Sequence, residues 1–81
     1  MGQVEDTADD LAQLALEDEA RSGEIKIVDD IAEILGSSSQ TLQEAYLTAI
    51  RVRRAETRAR ELLAKRAAAA KSAAAATPKP E

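Results

Sequence analysis

Cysteine and histidine are both absent from these 81 residues, as are tryptophan and phenylalanine, and Tyr46 is the only aromatic side chain. Disulfides, thiolate nucleophiles, imidazole base chemistry and the usual zinc ligands are thereby excluded together. Proline occurs only at positions 78 and 80, so nothing before them forces a helix to stop. Glycine occurs three times, at positions 2, 23 and 36, and two of these fall where a helix would end. No apolar run approaches the roughly 20 residues that cross a bilayer, and no apolar leader core opens the chain. The expectation is a cytoplasmic protein with no membrane contact. Large apolar side chains are also scarce. Eight Leu, five Ile, three Val, Tyr46 and Met1 are joined by eighteen alanines, each of which buries little area. One small domain with a thin core follows, and self-association would strengthen it.

The net charge of −4 conceals two unlike halves. Residues 1–36 carry eleven acids and two bases, a balance of −9, whereas residues 37–81 carry nine bases and four acids, a balance of +5. Two explanations compete. The acidic and basic faces pair with each other, within one chain or between chains. Alternatively, the basic half meets nucleic acid or an acidic partner while the acidic half restricts where.

The periodicity is helical nearly throughout. Residues 1–6 read as a disordered N-terminus. Thr7 with Asp10 three residues on has the form of a capping box, and Leu11, Leu14 and Ala15 share one face of the helix that follows, widened by Ala12 and Leu16. Gly23 suits the left-handed position that ends it. In "EIKIV", Ile25 and Ile27 alternate with Glu24 and Lys26 as in a strand, but Ile27, Val28, Ile31, Ile34 and Leu35 recur at helical spacing. The spacing predicts an extended piece over 24–27 and a short helix over 28–35, closed by Gly36. "SSSQT" then offers several N-caps, with Thr41 and Glu44 as a second capping box. From there Leu42, Tyr46, Leu47, Ile50 and Val52 supply core side chains, followed by the narrower line Ala55, Ala59, Leu62 and Leu63. The fold class is therefore all-α, with helices over about 7–22, 28–35 and 39–70, the third long, projecting and self-associating. Residues 7–66 form the single domain, and the Ala-rich tail 67–81 is expected to fray.

Within "IAEILGSSSQTLQ", Ala32, Gly36 and Leu42 stand at the spacing of a helix-turn-helix unit. There a small residue lets the second helix cross, a glycine four on supplies a left-handed turn, and an aliphatic residue six further pins the second helix. Ile31, Leu35 and Ala45 fill the other inward positions. Over residues 27–47 the chain thus resembles the helix-turn-helix DNA-binding proteins in general, although Ser37 stands where members often carry an aliphatic residue. The resemblance implies that residues opening the second helix read base edges. Carried over, these are Ser38, Ser39, Gln40, Gln43 and Glu44, of which glutamine can pair bidentately with adenine. Residues 51–66, "RVRRAETRARELLAKR", hold seven bases and two acids, and Arg51, Arg53, Arg54 and Arg58 are the phosphate-contact candidates. The same run can equally be a solvated helix balanced by the acidic half.

A hairpin followed by a long coiled-coil-prone helix is also similar, in layout alone, to phage terminase small subunits. A ribbon-helix-helix arrangement, with "EIKIV" as an intersubunit strand, is a further option. Carboxylate groups such as Asp6, Asp9 and Asp10, or Asp29, Asp30 and Glu33, lack the ordering of an EF-hand, and the dipole of a helix start explains acids there. The expectation is a non-enzymatic protein with no cofactor and no metal. Its function is DNA binding in regulation or phage-type DNA packaging, through the helix-turn-helix-like unit and the basic helix. The alternative is a protein-interaction module, an assembly adaptor or inhibitor, with an acidic N-terminal half. Its partners are DNA, a second copy of itself, or another protein.

Overall fold

A computed structural model describes the backbone of residues 2–76 and side chains through residue 72. Three helices make up these residues, α1 (Gln3–Ser22), α2 (Lys26–Ser38) and α3 (Gln40–Ala76), and no strand is present among them. The all-α class and the long third helix are as the periodicity indicates. The stretch 24–27 is not extended, because α2 already begins at Lys26, whose ammonium lies 3.6 Å from Asp30 one turn on. A strand needs a neighbour to satisfy its backbone, and none exists among the described residues, so the helical spacing prevails over the short alternation.

α1 also starts earlier than the Thr7 capping box suggests. The Glu5 carboxylate accepts the Gly2 backbone N–H at 3.0 Å, and the Asp6 N–H reaches the Gly2 carbonyl at 3.1 Å. Glu5 therefore completes half of a capping box around a glycine N-cap, and Thr7 lies inside the helix. At the other end Gly23 takes φ +78° and donates its N–H to the Glu19 carbonyl at 2.8 Å, the left-handed stop expected of it.

Gly36 plays a different part from the one its position implies. It lies within α2, and Gly23 is the only residue with positive φ among those described. The chain reverses instead at Ser39, a single extended residue (φ −153°, ψ 103°). The Ser39 N–H closes α2 on the Leu35 carbonyl at 2.7 Å, and its hydroxyl caps α3 by accepting the Leu42 N–H at 3.1 Å. Thr41 is thus not the cap.

Two α3 side chains then donate to α2 carbonyls, Gln43 Nε2 to Ala32 at 3.0 Å and the Tyr46 hydroxyl to Val28 at 2.8 Å. As the α3 residue number rises the α2 number falls, so the two helices lie side by side in opposite senses. Gly36 is small because the Gln43 amide crosses it: a Cβ there would run into Gln43 Nε2. The glycine serves a close approach between helices, not a left-handed turn.

The core consists of Ala8, Ala12 and Ala15 from α1, Val28 and Ala32 from α2, and Tyr46 and Ile50 from α3. Alanines at steps of four and three give α1 a flat face, against which the single tyrosine ring supplies the volume. Leu11 and Leu16 flank that face, while Leu14, expected to point inward, is 60 % exposed. α1 runs in the same direction along α3. Its first turns adjoin Thr41–Val52, and its last turns adjoin Arg54–Glu61. α3 outruns this cover. Every described side chain from Arg54 to Ser72 is exposed, and the molecule is 63 Å long but only 13 Å across its thinnest direction. The segment 67–76, expected to fray, continues α3 to Ala76, and the proline stop falls outside the described residues.

Candidate interaction surface

The nine residues singled out as DNA contacts divide into those used inside the fold and those left at the surface. Ser39 is consumed as the α3 cap, and Gln43 as the donor to Ala32. The Arg53 guanidinium grips Asp9 of α1 with two bonds, Nε to Oδ1 at 2.9 Å and Nη2 to Oδ2 at 2.8 Å, a fork-on-carboxylate geometry. Those bonds hold the Asp9 carboxyl below its ordinary pKa and push that of Arg53 up. Arg54 reaches Glu19 near the end of α1 at 3.0 Å. The acidic and basic halves of the chain therefore do meet within one molecule, as the first of the two charge explanations has it.

Ser38, Gln40 and Glu44 are exposed at the hairpin end, the last two linked at 3.5 Å. Arg51 and Arg58 are exposed and form no ion pair among the described residues, and the same holds for Lys65 and Arg66. Arg51, Arg58 and Lys65 recur every seven residues, so they follow one edge of α3 at steps of about 10 Å. Of the carboxylates, Asp9 is committed to Arg53 and Asp30 to Lys26. Among the described residues no group of acids is arranged to hold a metal ion. No described helix is long and apolar enough to cross a membrane.

A second feature was only partly visible in the spacing. α3 exposes Val52 (59 %), Leu62 (58 %) and Leu63 (65 %). Val52 borders an open groove of about 480 Å³ between the first turns of α1 and α3, lined by Val4, Ala45 and Ala49 among others. The line Ala45, Ala49, Val52, Ala59, Leu63 advances by steps of four, three, seven and four. That spacing keeps one side of a helix in view and carries the groove's apolar floor beyond the end of α1. This stripe lies on the side of α3 away from Gln43 and Tyr46, and so away from α2.

Tyr46, by contrast, is fully buried, and its hydroxyl is bonded to Val28. Burial pushes its pKa up, with the Asp29 carboxylate adding to the effect. It is a packing residue that also locks α2. No family model matches the chain, and neither a curated protein nor a solved structure shows significant similarity to it.

Proposed function

We propose that this chain is a non-enzymatic helical interaction module. Its α1–α2 head clamps one half of α3 so that the other half is presented to a partner helix, the first such partner being a second copy of the chain. The observation that carries this reading is the apolar stripe on α3, which runs from the groove at Val52 to Leu63 with no described residue over it. Aliphatic side chains 58–65 % exposed on a helix this regular gain about 1–2 kcal/mol each when a partner covers them. The fixed head reduces what docking must order, because α3 is nucleated and aligned before any partner arrives. Light scattering across a dilution series tests the proposal. A mass that rises with concentration to twice 8.6 kDa or beyond is expected, and a monomer at every concentration rejects self-association.

DNA binding is the second reading, and the unpaired edge formed by Arg51, Arg58 and Lys65 favours it. In that case phosphate contact comes from this edge with Arg66, and base contact from Ser38, Gln40 and Glu44 at the exposed hairpin end. Arg53, Arg54, Ser39 and Gln43 are engaged elsewhere. Anisotropy of a labelled duplex at two salt concentrations separates the readings. Binding that weakens steeply with salt and is lost in Arg51→Ala/Arg58→Ala/Lys65→Ala supports DNA. No binding at low salt leaves the protein-interaction reading alone.

A further inference from the structure

Resting on the self-association reading above, we propose a specific pairing. α3 joins α3 of a second copy in antiparallel sense, about a two-fold axis level with residue 61, along Val52, Glu56, Ala59, Leu63, Arg66 and Ala70. These six positions advance by steps of four, three, four, three and four, the a/d spacing of a heptad seam, and all six are exposed. Counted from residue 61 the set is its own mirror image. Antiparallel pairing sets Ala59 opposite Leu63 of the second copy, Glu56 opposite Arg66, and Val52 opposite Ala70, each pair occurring twice.

Charge and volume both choose this sense over the parallel one. Parallel pairing in the same seam would place Glu56 against Glu56 and Arg66 against Arg66, two like-charge contacts at the interface centre. It would also set Ala59 against Ala59 and Leu63 against Leu63, a gap beside a bulge. Antiparallel pairing turns the charges into two opposite pairs and sets small against large in every apolar layer. Glu56 already holds Arg60 through Oε2 at 2.8 Å, which leaves Oε1 for a cross-copy partner. Leu62 lies one step beyond the axis on the edge of the seam, so the two copies' Leu62 side chains meet beside it. The pairing thus accounts for all three exposed aliphatic side chains of α3. It also sends the second copy's Ala67–Ala70 toward the groove bordered by Val52.

The absence of native cysteine makes the register directly readable. The full chain is prepared as Ala59→Cys and as Leu63→Cys, and the two are oxidised separately and as an equal mixture. The expected result is a mixed disulfide in the mixture and little dimer from either variant alone, because 59 faces 63 across the axis. Charge reversal supplies an independent reading. Glu56→Arg alone and Arg66→Glu alone each weaken the dimer roughly tenfold or more, and the combined variant restores it, since only then are both pairs opposite again. Disulfides formed by each cysteine variant alone, with no rescue in the combined variant, overturn the antiparallel pairing while leaving self-association in place. A parent chain that stays monomeric overturns both.

Discussion

One helix serves two regions that differ in almost everything except backbone. From Gln40 to about Glu61, α3 has α2 and then α1 against it, contributes Tyr46 and Ile50 to the core, and is pinned by Arg53 and Arg54. From Leu62 onward it has no neighbour among the described residues, and every described side chain is exposed. The first region is helical because packing holds it. The second is helical because alanine, leucine, lysine and arginine favour the helix, and because it grows from a turn already nucleated. The core side chains Tyr46 and Ile50 and the exposed part of the stripe from Val52 to Leu63 are separate, so changes to one should leave the other intact.

The largest break in that comparison is expected at Tyr46→Ala. Tyr46 is the only large side chain with no exposed surface among the described residues, and it packs with three buried alanines of α1 and with Val28 at the start of α2. Truncation removes that volume and the bond to Val28 together, a loss of about 3–5 kcal/mol by the usual scale for aromatic-to-alanine changes in cores. In a core this thin the head is expected to unfold, while α3 keeps part of its helicity. Circular dichroism would show a partial, broad loss of helix in place of a cooperative transition. A fully cooperative transition near that of the parent would mean that the core does not depend on the ring.

A smaller effect is expected at the α1–α3 clamp, and pH separates it from packing. The carboxyl of Asp9 titrates below its ordinary value of 3.8 because Arg53 bonds to it. A depressed folded-state pKa means stability that is present above the unfolded value and is lost as pH falls through the folded one. Arg53→Ala should therefore melt below the parent near neutral pH, with the gap closing once pH has dropped well under 3.8. Melts of both proteins across that range check it, and a gap unchanged by acid would show that Arg53 acts through its aliphatic stem alone. In the arm the analogous truncation, Leu63→Ala, removes a side chain that is 65 % exposed. It should change the dilute monomer by no more than about 0.5 kcal/mol while weakening any dimer.

What could be read from residue order follows the same division. The helical class, the Gly23 stop and the long third helix are local properties, set by spacing and by the absence of breakers before residue 78. The face that α1 buries was harder to read. Its leucines mark one side, but Ala8, Ala12 and Ala15 pack inward because a tyrosine from α3 brings the volume, and nothing within α1 announces that partner. The early start of α1 had a signal, Glu5 three residues after Gly2, which is easily passed over because glycine carries no capping hydroxyl. The Asp9–Arg53 clamp had none beyond opposite charge, since the two residues are 44 apart in the chain. The basic run was legible as charge, but which arginines were already engaged was not.

The smallest expected change is also the sharpest test of how the chain reverses between α2 and α3. If Gly36 were a left-handed turn residue, Gly36→Ala would cost about 1 kcal/mol or more, as Gly23→Ala should, because φ there is +78°. Inside α2 the same substitution gains about 0.5–1 kcal/mol of helix propensity. Against that, the new methyl meets the end of the Gln43 side chain, which is flexible and can swing aside at the cost of its bond to Ala32, a net loss of similar size. Gly36→Ala should therefore be close to neutral by denaturant titration. In a Gln43→Ala background, where the obstructing amide is gone, it should become stabilising. A clear destabilisation of Gly36→Ala in both backgrounds would mean that the hairpin bends at Gly36 after all, and would return the helix-turn-helix geometry to first place.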